Sequence, residues 1–123
     1  MLYNSTQNAA EVVSAAQAIA QGISKDGGLF VPQEFPKYSA ETFNELLKLD
    51  YKGRAKKVFA DFLSDFTEEE MWACIAGAYD KKFTAREIVE MKEAGGAHFL
   101  ELYHGKTAAF KDMALSILPY LKT

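Results

Sequence analysis

Apolar residues recur along this chain at helical spacing, broken by capping residues and glycines, and the pattern predicts a mostly helical chain with short strands between helices. A short strand is expected over residues 2–5. Asn8, with Glu11 three residues on, makes a capping arrangement for a helix running to about Gln21 and buried along Val12, Ala16, Ile19 and Ala20, and Gly22 ends it. Asp26-Gly27-Gly28 is a turn that releases a strand over 29–31, and Pro32 and Pro36 mark an irregular connection. A second helix starts near Ser39 and buries Phe43, Leu46 and Leu47. Asp50 caps a third, with Ala55, Val58, Phe59, Phe62 and Leu63 on one side and its basic residues mainly on the other. Thr67 and Glu70 form a capping box for a fourth, which holds Trp72, Ile75, Ala76 and Tyr79. Thr84 and Glu87 form another ahead of Ile88, Val89 and Met91, and Gly95-Gly96 stops that helix. Residues 98–103 then read as a strand, with Phe99, Leu100, Leu102 and Tyr103 too apolar for a wet face.

The last periodic segment carries the chemistry. Thr107 is a good N-cap, and Phe110, Met113, Ala114, Ile117, Leu118 and Leu121 follow one helical face. No charged side chain occurs from Met113 to Leu121, so this helix is expected to meet protein on every side. Lys111 sits in its first turn. Desolvation and the positive end of the helix dipole would both push its ammonium toward the free amine, the form that Schiff-base chemistry requires. Asp112, an acid in the same turn, suits the dipole and can hold nearby donors. The same residues also fit a plainer arrangement, in which Lys111 snorkels to solvent and Asp112 is an ordinary first-turn acid.

The segment Glu101-Leu102-Tyr103-His104-Gly105-Lys106-Thr107-Ala108-Ala109-Phe110-Lys111-Asp112, continuing to Leu118, resembles the lysine-bearing segment of the threonine synthases, pyridoxal-phosphate enzymes of the tryptophan-synthase-like structural type. Tyr3-Asn4-Ser5-Thr6 resembles that family's amino-terminal strand, and Gly22 to Pro32, with its Asp26-Gly27-Gly28-Leu29-Phe30-Val31-Pro32 run, resembles a further family segment in the same order. The resemblance implies that Lys111 is the lysine that binds pyridoxal 5'-phosphate and serves catalysis; Asp112 beside it and His104, in the turn just before the lysine helix, are by position secondary candidates near the cofactor, and a turn-capping role fits His104 equally well. It implies a reaction in which O-phospho-L-homoserine and water give L-threonine and phosphate through an aldimine of the cofactor.

Two positions depart from the family pattern. Lys106 stands where proline is common, and Gln7 where arginine is common; the first bears on loop geometry and the second on anion binding. Because 123 residues make one ordinary domain and threonine synthases are several times longer, the chain is expected to be an amino-terminal fragment, inactive alone. The expected architecture is α+β: a mostly helical subdomain with short strands over residues 1–96, and over 97–123 the first strand-helix unit of an α/β cofactor-binding domain. The apolar carboxyl-terminal helix of a fragment could be covered by a second copy of the chain. Two other readings remain open. One is a different pyridoxal-phosphate lyase or dehydratase of the same type, and the other is a non-catalytic helical interaction module built on that apolar helix.

Composition narrows the field further. Apolar residues at 49% and charged residues at 25% are ordinary globular usage, which argues against disorder. A net charge of -3 with scattered basic residues leaves no footprint for nucleic acid, and Lys52, Arg54, Lys56 and Lys57 read as a solvated helix face. Neither a signal peptide nor a membrane span is expected, which makes the cytoplasm the default location. The single cysteine, Cys74, reads as core filler, and with His98 and His104 the only histidines and no carboxylate at ligand spacing, no metal site is expected. Gly105-Lys106-Thr107 has the ending of a phosphate-binding loop, but that loop needs a glycine where Leu100 stands.

Overall fold

The first sheet is built on a four-residue strand, β1 (Leu2–Ser5), which pairs antiparallel on both sides in the computed structural model; the structure describes residues 1–122. On one side lies β2 (Val12–Ser14), with Tyr3 opposite Val13, and on the other β3 (Phe30–Pro32), with Tyr3 opposite Pro32. Pro32, which has no N–H for a ladder, is tolerated because β3 is an edge strand.

β2 displaces the first half of the helix expected from Asn8. That helix, α1 (Ala15–Gln21), begins seven residues later, because Ser14 and Gln17 form a complete capping box of their own. Val12 and Val13 are β-branched and pair in the sheet, while Asn8 folds its side chain onto the Ala10 N–H as a turn residue. Ala15 is buried and Ile19 half-buried, whereas Val12, Ala16 and Ala20 are exposed.

The three central helices keep their expected caps. Ser39 caps α2 (Ala40–Leu47), Asp50 caps α3 (Tyr51–Phe62), and Thr67 with Glu70 forms the capping box of α4 (Glu68–Tyr79). α2 lies on the periphery, packed against α3, so Phe43 and Leu47 stay exposed and only Leu46 is half-buried. α4 is the buried element. Met71, Cys74, Ile75, Ala78 and Tyr79 face the core, with Ile75 fully inaccessible, while Trp72 remains on the surface under the Lys56 ammonium, 5.0 Å from its ring centre. Cys74 packs as filler and its Sγ lies 3.4 Å from the Tyr120 carbonyl.

The helix expected after Thr84 does not form. Residues 90–101 are instead a hairpin: β4 (Glu90–Ala94) pairs with β5 (Ala97–Glu101) around Gly95-Gly96. Both glycines have positive φ, 60° and 76°, the geometry of a two-residue turn that matches strand twist, so the pair read as a helix stop is a hairpin signal. Ile88, at φ 70°, turns the chain into β4 while its side chain is buried. Phe99, Leu100 and Tyr103 are more than half exposed, contrary to the buried strand expected there.

The final helix is split into α5 (Asp112–Leu115) and α6 (Leu118–Leu121). Pro119 has no N–H for the Leu115 carbonyl, and its ring would collide with that carbonyl in a continuous helix. Of the expected apolar face, Ile117 is buried and Met113 and Leu121 are half-buried against the core, but Phe110, Ala114 and Leu118 are exposed. In sum the chain is a mixed helical and short-strand fold with one core, which collects Ala15, Leu63, Ile88 and Ile117 around α4.

A polar network fastens the segment before β3 to β1. The Ser5 hydroxyl donates to Asp26, and the Ser24 hydroxyl lies 2.5 Å from Glu11 Oε2 and 2.7 Å from Asp26 Oδ1. The Ser24 hydroxyl, followed by the Gly28 N–H, holds the Asp26 carboxyl below the usual carboxylate range. A depressed folded-state value means that this contribution is present above about pH 4 and is lost as pH falls through the folded value. Asp26→Asn should therefore flatten the acid limb of a urea-midpoint-versus-pH curve and leave the slope near neutrality unchanged; an identical acid limb would refute the linkage. Ile75→Ala should cost about 2–5 kcal/mol in urea unfolding, since it empties the most enclosed core position. A loss below about 1 kcal/mol would place the core elsewhere.

Candidate functional site

Ten residues separate β5 from α5, and the loop they form, 102–111, is held at both ends by side chains. At its start His104 stacks on Tyr103, ring centres 4.7 Å apart, and its Nε2 lies 2.8 Å from Glu101 Oε2. Thr84 ties the same residue down from across the chain: its N–H donates to the His104 carbonyl at 2.9 Å, and its hydroxyl lies 3.4 Å from His104 Nδ1. His104 is therefore enclosed by loop contacts, with only 15% of its side chain exposed.

Strand pairing brings a third group to this place. Glu90 is directly opposite Glu101 in the β4–β5 register, and carboxylate oxygens of both, with a ring nitrogen of His104, lie within 4.8 Å of one another. The sequence alone shows no carboxylate at ligand spacing, because a helix over 84–94 would carry Glu90 elsewhere; the hairpin brings it here. Like charges opposite each other in a hairpin repel. Here Lys92 Nζ, 2.6 Å from Glu90 Oε2, offsets the repulsion, and the His104 ring hydrogen-bonds Glu101. Hydrogen bonds from Tyr103 and then His104 hold the Glu101 carboxyl below its ordinary range, and the same carboxylate pushes the Tyr103 hydroxyl up.

At the far end of the loop Thr107 and Asp112 meet, in the opposite sense to the expected cap. A capping threonine accepts a backbone N–H from the helix. Thr107 instead donates its own N–H to Asp112 Oδ2 at 2.7 Å and its hydroxyl to Asp112 Oδ1 at 2.6 Å. Asp112 is buried, 5% exposed, and the Thr107 hydroxyl, followed by the Thr107 N–H, holds its carboxyl below the usual range. Gly105 completes the closure. A Cβ on residue 105 would lie 2.4 Å from both Cβ and Oδ2 of Asp112, so no side chain fits there.

Lys111 is the residue before α5, in right-handed helical conformation at φ -62° and ψ -22°. It is exposed, and among the described residues its ammonium has no hydrogen-bond or ion-pair partner. The desolvation expected from the apolar helix is not supplied by these residues: the helix is broken at Pro119, and Phe110 beside the lysine is 66% exposed. The three candidates thus lie on one loop in different settings, with His104 and Asp112 engaged in internal hydrogen bonds and Lys111 presented outward. Lys106 is exposed within the same loop, and Gln7 offers its N–H to the Ser5 hydroxyl at 3.2 Å. No helix among the described residues is long and apolar enough to cross a membrane.

The likenesses to known proteins cover the whole of this arrangement. Residues 2–79 match the family described as Threonine synthase N terminus. The Escherichia coli (strain K12) threonine synthase is 38% identical over 107 residues, which are 83% of this chain and 23% of that protein. The Homo sapiens protein Threonine synthase-like 2 is 36% identical over 119 residues, 94% of this chain and 24% of that protein. Among solved structures, the pyridoxal-phosphate-bound threonine synthase from Brucella melitensis superposes with a TM-score of 0.92 at 31% identity, covering 99% of this chain and 26% of that one. The threonine synthase from yeast gives 0.90 at 30% identity, over 98% and 25%. This chain spans about a quarter of the length of these relatives and, through residues 2–79, belongs to the threonine synthase family as its amino-terminal region.

Proposed function

We propose that this chain is the amino-terminal part of a threonine synthase, a lyase that converts O-phospho-L-homoserine and water to L-threonine and phosphate, and that Lys111 is its catalytic residue. The observation that supports this is the Lys111 amine itself, exposed and unpaired beside α5 on a loop in which His104, Thr107 and Asp112 are engaged, Lys106 being the loop's other exposed amine. Residues 1–96 form the helical subdomain of that enzyme and 97–123 begin its cofactor domain. Its cellular place is the cytoplasm, and alone the chain is inactive.

The residues present fit pyridoxal 5'-phosphate at one point only. A primary amine without a competing carboxylate can bond to the aldehyde, and Lys111 meets that condition because its neighbour Asp112 is turned inward onto Thr107. When bound, the cofactor supplies an electron sink for carbanionic character at the substrate carbons. The chain's own contribution is Lys111 Nζ, which holds the cofactor at rest and, once released by the incoming substrate amine, takes and returns protons at the substrate carbons. The uncharged amine this needs calls for a drier setting than the exposed one here. In the complete enzyme the parallel sheet of the cofactor domain covers this segment, whose Phe110, Leu115 and Leu118 are exposed here, and so dries the lysine. In the isolated chain a second copy covers the same apolar residues. His104 and Asp112 shape the loop around Lys111, since their polar atoms are committed within it.

Two measurements test this. Reduction with borohydride in the presence of pyridoxal phosphate should label Lys111 of the complete polypeptide encoded by the gene. Lys111→Ala should abolish both the label and the absorbance at about 410–430 nm that lysine adducts of this cofactor show. Label on a different lysine would overturn the assignment. The 123-residue chain supplied with cofactor and O-phospho-L-homoserine should release no threonine, and sustained release would show that no further residues are needed.

A further inference from the structure

The Lys111 side chain has no ion pair or hydrogen bond to fix it, while its carbonyl accepts the Ala114 and Leu115 N–H groups and the loop that carries it is closed and strained. Ala108 sits at φ 56°, in the left-handed region that costs an alanine about 1–2 kcal/mol. Such a conformation persists only where surrounding contacts over-determine it, and an observed outlier of this kind is a reason to look for function. The contacts are on the page. Asp112 takes both donors of Thr107, Gly105 packs against the Asp112 side chain, and the Ala108 N–H returns to the Gly105 carbonyl at 3.1 Å. The chain from 105 to 112 is thereby a ring closed by one carboxylate.

We infer that Asp112 is a positioning residue for Lys111: by clasping Thr107 it closes the loop 105–112 and turns itself into the core, leaving the preceding side chain directed outward as the reactive amine. Adjacent Cα atoms are about 3.8 Å apart, so anchoring residue 112 anchors the backbone of 111. In helical geometry successive side chains diverge by about 100°, so an inward Asp112 sets Lys111 on the rim. The clasp also accounts for Lys106. Where a proline would stiffen the turn, this chain has a flexible residue, and the Thr107–Asp112 pair supplies the rigidity one residue later. Each Asp112 oxygen accepts a hydrogen bond from Thr107, so the carboxylate is held within the loop and acts on Lys111 through the backbone. This rests on the proposed role of Lys111.

The test uses the complete polypeptide and two variants of Thr107, which leave the Asp112 carboxylate itself in place. Thr107→Val removes the hydroxyl donor, and Thr107→Ser keeps both donors. In the cofactor-free protein, labelling of Lys111 by pyridoxal phosphate and borohydride is followed by mass spectrometry against Lys106, which lies in the same loop on the other side of Thr107 and serves as the internal reference. The ratio of label on Lys111 to label on Lys106 should fall about tenfold in Thr107→Val, the loss of one hydrogen bond to a charged group, and stay at the wild-type value in Thr107→Ser. kcat for O-phospho-L-homoserine should fall in parallel while KM changes by less than about twofold. Equal ratios in the valine and serine variants would overturn the positioning role while leaving Lys111 as the cofactor lysine. Absence of label on Lys111 in the wild type would overturn the functional reading itself.

Discussion

One face of α4 holds this molecule together. Met71, Cys74, Ile75, Ala78 and Tyr79 lie at helical spacing, and each is less than a tenth exposed. Their partners come from both ends of the chain: Ala15 of α1 on one side, Ile117 between α5 and α6 on the other. Tyr79 adds direction to what would otherwise be apolar contact. Its ring meets Tyr51 of α3 edge to face at 5.1 Å, while its hydroxyl donates to the Met113 carbonyl at 2.8 Å. Burial, and then the neighbouring Tyr51, raises the Tyr79 hydroxyl well above its usual range, which favours the protonated, donating form. Cys74, through the Tyr120 carbonyl, and Lys82, through the Ser116 carbonyl and the Tyr120 ring, tie the same carboxyl-terminal segment to the end of α4. The loop bearing Lys111 is consequently seated on the helical core although no regular element covers it.

The parts of the fold legible in the sequence are those decided locally. Ser39, Asp50 and Thr67 each bond to a backbone N–H three residues on, so the starts of α2, α3 and α4 follow from short-range chemistry. The parts misread were decided by competition or by pairing. Asn8 and Ser14 both head a plausible capping arrangement, and the sheet settled the matter by recruiting Val12 and Val13 as β2. Thr84 and Glu87 satisfy the same capping rule, yet the Thr84 N–H is taken by the His104 carbonyl, twenty residues away. A local rule cannot see that partner. Gly95-Gly96 was ambiguous in principle, since positive φ serves a helix end and a hairpin turn equally.

The same division runs through the site. Lys111, Asp112 and His104 share one contiguous segment and were visible as candidates, but their settings were not. Thr107 and Asp112 stand five apart, and nothing in that spacing says which is donor and which acceptor; the burial of Asp112 decides it, because a carboxylate out of water must find donors. Gly105 gave no signal as a packing requirement, since only the position of the Asp112 side chain makes a Cβ there impossible. Glu90 was missed with the hairpin, and with it the grouping of Glu90, Glu101, Lys92 and His104.

The exposure of Lys111 turns the emphasis from the lysine to its surroundings. Reading a dry helix around it was reasonable from residues 113–121, which carry no charge, but dryness depends on which surfaces meet and not on composition. Pro119 breaks the helix, and the fragments bury Ile117 while leaving Phe110, Leu115 and Leu118 outside. On the β4–β5 hairpin Phe99 and Leu100 are exposed as well, on opposite faces of the ribbon. Covering surface of this kind is worth about 25 cal/mol per Å², so whatever packs on it gains stability from the very contact that would strip water from the amine. Positioning of Lys111 and activation of Lys111 are then separable tasks. On the proposed reading the clasp made by Asp112 performs the first, and the second depends on what packs on that exposed apolar surface.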